Sequence, residues 1–74
     1  MSYEKIGVIT SLIDKNNGII TDYDGNEYNF SVSDFINDFS IEIGCRVIFK
    51  AEIYIVNNVE IKKATLIEQY INTP

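Results

Sequence analysis

Three carboxylates, Asp22, Asp24 and Glu27, crowd in or beside a single Asp24-Gly25-Asn26 turn. Carboxylates at that spacing could serve general acid-base chemistry or hold a divalent cation. The first use needs a pocket that shifts a pKa, and the second needs a ring of oxygen ligands. The turn lacks the twelve-residue spacing of a calcium loop, and a small domain filled by its own side chains offers little pocket. The chain has no histidine and one cysteine, Cys45. That removes the imidazole on which serine and cysteine triads depend, along with the usual zinc, copper and haem ligand sets. Cys45 reads as a small apolar filler near the start of a strand. The expectation is a binding protein that is not an enzyme and uses no cofactor or metal.

The basic residues are the second group that could do chemistry. The net charge is −5, unevenly placed: residues 1–44 hold Lys5 and Lys15 against eight acids, and residues 45–74 hold four basic residues against three acids. The two halves therefore carry −6 and +1. Lys50, Lys62, Lys63 and Arg46, with Tyr54, could form a phosphate-gripping patch in the second half. A basic stripe is the footprint of such a grip, and the first half shows the opposite sign. Asp22, Asp24, Glu27 and Asp34, together with Asp14 and Asp38, could instead present an acidic surface to a basic protein partner.

These side chains must be positioned by strands. Residues 3–13 are rich in β-branched types and alternate, which predicts a first strand. Asn17-Gly18 predicts a tight turn with Gly18 at positive φ, followed by a second strand over 18–23. Asp24-Gly25-Asn26 turns the chain into a third strand over 27–32. Ser33 or Asp34 then reads as the cap of a short helical turn carrying Phe35, Ile36 and Phe39, a plug for one barrel end. After Gly44 a long alternating run, Val47 to Val56, predicts a fourth strand, and Asn57-Asn58 turns it back. In the fifth strand Val59 and Ile61 share one parity, while Ala64 and Leu66 share the other. A β-bulge at Lys62-Lys63 would keep both pairs inward. The alternative for this segment is a helical tail, with Ala64, Ile67 and Ile71 on one face. The only proline is Pro74, and no linker or repeat divides the chain, so residues 1–74 read as one domain with an irregular tail from 68.

A meander of three strands, a helical plug and a final hairpin describe an all-β, five-stranded antiparallel Greek-key OB barrel. Gly7-Val8-Ile9, Lys15 to Ile20, Asp24-Gly25, Glu27 to Phe35 and Gly44 to Phe49, in that order, resemble the cold-shock domain over roughly residues 5–66. The resemblance implies a small barrel that binds single-stranded RNA or DNA without a cofactor, through aromatic groups on its second and third strands. Those positions depart from the family. Its Lys-Gly-Phe-Gly-Phe-Ile motif matches Lys15 to Ile20, with Asn17 and Ile19 in place of the phenylalanines. Its Val-Phe-Val-His-Phe-Ser motif matches Tyr28 to Ser33, with Asn29, Ser31 and Val32 in place of Phe, His and Phe. The first-strand tryptophan falls at Ser11. Tyr28 and Phe30 have the opposite parity, toward the core.

Each base stacked on an aromatic ring is worth about 1–3 kcal/mol, so losing these platforms implies weak nucleic-acid binding. Two expectations follow. One is weak or relocated binding of RNA or DNA through Lys15, Asn17, Ile19, Asn29, Ser31, Lys50, Lys62 and Lys63. The other is a protein-interaction module whose acidic surface meets a basic partner. Exposed Ile48, Tyr54 and Val56 could pair a long edge strand with another copy, which would make a homodimer. With no long apolar run behind Met1, neither a signal peptide nor a membrane partner is expected, and the expected setting is cytoplasmic.

Overall fold

A computed structural model describes residues 2–37 and 40–70. Five strands, β1 (Ser2–Leu12), β2 (Asn17–Asp22), β3 (Glu27–Ser31), β4 (Arg46–Val56) and β5 (Val59–Gln69), close into a barrel in the order β1-β2-β3-β5-β4. β1 serves two neighbours: residues 2–8 pair with β4 and residues 7–12 pair with β2. It can do both because an extra residue at Thr10, between the Ile9↔Ile20 and Ser11↔Ile19 pairs, bends the strand around the barrel.

The barrel is not purely antiparallel. β3 and β5 run parallel where they meet, at Asn29↔Lys63. The reason is parity, since a closed ring with an odd number of strands cannot alternate direction all the way round. One like-directed contact is obligatory, and the Greek-key return of β5 to the side of β3 supplies it.

The interior is filled by Ile9, Ile20, Tyr28, Phe30, Val47, Phe49, Ala51, Ala64 and Ile67. A full-sized member of such a set stabilises the fold by about 1.5–3 kcal/mol through burial. Tyr28 and Phe49 meet at a 5.2 Å centroid distance, and the Phe35 ring stands edge-on to Phe30 at 5.3 Å. Both aromatic residues of β3 therefore face inward, as their parity predicts.

The expected short helical turn after β3 is present as a 3-10 turn over Val32–Asp34, capped by Ser31 rather than by Ser33 or Asp34. Asp34 Oδ2 accepts from the Ser31 amide at 2.9 Å, and Ser31 Oγ accepts from the Ser33 amide. This capping box satisfies the turn's first donors within three residues, so no longer helix is required. Phe35 follows the turn and packs on the core, Ile36 is exposed, and Phe39 lies outside the described residues.

β5 carries its irregularity at Leu66, not at Lys62-Lys63. The register moves from Lys50↔Thr65 to Ile48↔Glu68, and Leu66 takes φ 49° and points to solvent. The bulge restores inward parity for Ala64 and Ile67, and Val59 and Ile61 remain exposed. The strand continues to Gln69, and the Tyr70 amide donates to Arg46 O, so the helical alternative is displaced through residue 69. Ile71 lies outside the described residues.

Gly18 is also placed differently. It lies inside β2, opposite Phe30 and Leu12, and the positive-φ residues of the described turns are Gly25, Gly44, Asn57 and Asn58. A Cβ on Gly18 would approach Ser11 O to 2.5 Å and the Phe30 ring to 2.6 Å. Close packing, not turn geometry, requires glycine there.

Candidate binding surface

The register sorts the expected site residues onto separate surfaces. On β2 and β3 the outward pairs are Asn17↔Ser31, Ile19↔Asn29 and Thr21↔Glu27, which form one contiguous patch. The patch has no outward aromatic ring among the described residues of β2 and β3. Asn17 is turned to its own loop, donating Nδ2 to Asp14 Oδ1 at 3.1 Å. Ser31 Oγ is held within the capping box beside Ser33. Lys15 is exposed in the same loop, at the barrel end lined by Leu12, Phe30, Val32 and Ile41.

Of the basic residues, Lys62 and Lys63 adjoin this patch and Lys50 does not. Lys50 sits on β4 between Glu4 of β1 and Thr65 of β5, away from β3. Lys63 lies opposite Asn29, with its ammonium 4.0 Å from the Asp34 carboxylate. Lys62 Nζ donates to Asn26 Oδ1 at 3.1 Å and stands 3.8 Å from Glu60. Each of Lys62 and Lys63 therefore has a carboxylate neighbour within the fold.

Asp22, expected on an acidic surface, is instead buried, with 4% of its surface exposed. Its Oδ2 accepts from Lys5 Nζ at 2.6 Å and from the Tyr28 hydroxyl at 3.0 Å, while Oδ1 accepts the Asp24 and Asn26 amides, both at 2.9 Å. Burial alone would raise this carboxyl, but the Lys5 ammonium and the converging hydrogen bonds outweigh it and hold the group well below the usual carboxylate range. The same cluster raises Tyr28, first by burial and then through its Tyr3 and Asp22 hydrogen bonds, and raises Lys5 through Asp22. Asp22 is thus the tie that closes one barrel end and shapes the β2–β3 turn. The sequence signal was the Asp22-to-Asn26 spacing around Gly25, which suits a side chain that caps its own turn. What could not be read was the partner on β1, seventeen positions upstream.

Of the other acids expected on that surface, Asp14, Asp24 and Glu27 are exposed, and Asp38 lies outside the described residues. Asp24 and Glu27 are exposed beside the β2–β3 turn, and Glu60 is exposed on β5. Glu27 and Glu60 line a cleft of about 520 Å³ between the start of β3 and the outer half of β5, with Ile19, Gly25, Asn29 and Lys62. Asp34 is half-buried in its cap.

The far half of the β4–β5 hairpin is the feature sequence reasoning undervalued. β1 accompanies β4 to Glu52, and β3 meets β5 at Asn29↔Lys63, so the hairpin extends past both neighbours. Asn57 and Asn58, at φ 51° and 64°, turn it with the two consecutive positive values of a tight two-residue loop. Its outer face carries the pairs Tyr54↔Ile61 and Val56↔Val59, all exposed, and Ile55 on the other face is 74% exposed. Tyr54 and Val56 thus lie where an added chain could touch them, whereas Ile48 is half-buried between Ile6 and Glu68 and belongs to no edge.

Compared with known proteins, the chain matches no family model and no curated protein. The described residues show a small β-barrel domain of OB-like architecture.

Proposed function

We propose that this protein is a non-catalytic OB-type module that binds another protein, using the acidic cleft and the apolar β4–β5 arm. The observation that carries this reading is the arm. Two cross-strand pairs of large apolar groups project past the barrel, beside a cleft bordered by Glu27 and Glu60. An exposed apolar strip beside a cleft with a net negative lining suits a protein partner of the opposite sign. The resemblance to cold-shock domains accounts for the scaffold, and the replacements at Asn17, Ile19, Asn29 and Ser31 account for the loss of that family's ligand.

Nucleic-acid binding is the competing use of the same barrel. It lacks the stacking rings on β2 and β3, and Lys62 and Lys63, the lysines nearest those strands, each already have a carboxylate neighbour. Fluorescence anisotropy of labelled oligo-dT and oligo-U should give dissociation constants no tighter than about 10⁻⁴ M at physiological salt. A labelled lysine-rich peptide should bind more tightly and weaken as salt rises. Micromolar oligonucleotide binding that disappears in a Lys62→Ala, Lys63→Ala variant would replace this reading with a relocated nucleic-acid site.

A further inference from the structure

We propose that the cleft between β3 and β5 receives an extended, lysine- or arginine-bearing segment of the partner, which adds as a strand along the free edge of β5 at Glu60–Lys62. This rests on the protein-binding reading and specifies its ligand. Three observations carry it. The first is the edge itself. In a two-residue hairpin, residues flanking the loop form a hydrogen-bonded pair and the next pair does not, so Val56↔Val59 and Tyr54↔Ile61 exchange bonds across the hairpin. Glu60 and Lys62 therefore turn backbone groups away from β4, toward the cleft. β3 reaches this edge at Asn29↔Lys63 alone among the described residues, leaving the stretch below that point open.

The second observation is space. The two strands part below the bridge, and the 520 Å³ cleft opens between Gly25–Glu27 and Glu60–Lys62. An incoming strand would gain main-chain hydrogen bonds from β5, with its alternate side chains directed into the cleft.

The third observation is charge. Glu27 and Glu60 both line the opening, and Asp24 is exposed in the adjoining turn. Lys62 guards the edge, as an inward-pointing lysine does on many edge strands. It is held by Glu60 at 3.8 Å and by Asn26 at 3.1 Å. A cation on the incoming strand can pair with Glu27 and Glu60, whereas an acidic strand meets like charge at both. The two carboxylates thus favour a basic segment, and they disfavour a second copy of a chain that carries −5.

The test uses the 74-residue chain, labelled with ¹⁵N, and a capped peptide alternating lysine and valine. Amide shifts are expected at Glu60, Lys62, Asn26 and Asn29, with affinity falling at least tenfold in a Glu27→Lys, Glu60→Lys variant. Methylating alternate backbone nitrogens preserves the peptide's charge but removes one edge's donors, and should also weaken binding about tenfold or more. Equal binding of the methylated peptide would overturn strand addition while leaving a protein-binding surface in place. So would shifts confined to Tyr54, Val56 and Ile61 on the arm. Failure of both peptides, with oligo-U bound in the micromolar range, would overturn the protein-binding reading as well.

Discussion

Asp22→Ala is expected to destabilise the protein by on the order of 3 kcal/mol, read as a lowered denaturant midpoint and a melting temperature reduced by roughly 15 °C. The reason is the number of groups that lose a partner together. Lys5, Tyr28 and the amides of Asp24 and Asn26 all donate to this one carboxylate, and a buried donor left unsatisfied costs about 1–3 kcal/mol. Asp22→Asn keeps an oxygen for the turn amides and loses the charge facing Lys5, so it should cost less. The pH dependence has a defined sign. Because the folded carboxyl is held below its unfolded value, its contribution is whole above that value and is lost as pH falls through the folded one. The gap between wild type and Asp22→Ala should therefore stay level from pH 7 down to about 5 and narrow below about 4. An equal midpoint for the two proteins at pH 7 would show that the cluster does not hold the barrel end.

Gly18→Val should be still more damaging, at about 3 kcal/mol or more, since overpacking a tight site costs that much when backbone must move. The obstruction at 2.5 Å is the Ser11 carbonyl oxygen, a backbone atom in the neighbouring strand, so no side-chain rotation relieves it. Gly25 provides the comparison. At φ 89° with open space around its Cβ position, Gly25→Ala should cost only about 1 kcal/mol of backbone strain. Urea midpoints for the two variants measure the difference directly. If Gly25→Ala proved the costlier change, β2 and β3 would be packed differently from the arrangement described here.

The pattern of what was legible follows from the range of the interactions involved. Alternation and turn chemistry are local, so the five strands, the Asn57-Asn58 hairpin and the inward parity of Tyr28 and Phe30 could be read directly. The parallel β3–β5 contact was implicit in the count of strands, because five cannot alternate around a closed ring. The bulge was inferred from a parity conflict but assigned to the wrong residues. Ala64 and Leu66 share parity along an ideal strand, and the slip occurs one residue after Thr65, at a leucine with positive φ that propensity disfavours. Gly18 followed by a strand looked like a turn residue because the sequence shows the asparagine beside it and not the Phe30 ring across from it. Asp22 was grouped with surface acids for the same reason: its partner Lys5 is close in space and remote in sequence. The cleft between Glu27 and Glu60 joins residues that only barrel closure brings together.

The proposal that this barrel recognises protein and not nucleic acid is tested most directly by a competition followed at single amides. The ¹⁵N-labelled protein is first saturated with the alternating lysine–valine peptide and then titrated with oligo-U at physiological salt. The account predicts that the peptide moves the amides of Asn29, Glu60 and Lys62, and that the oligonucleotide neither reverses those shifts nor moves Asn17 and Ile19. Displacement of the peptide by micromolar oligo-U, with new shifts across Asn17, Ile19 and Asn29, would contradict it.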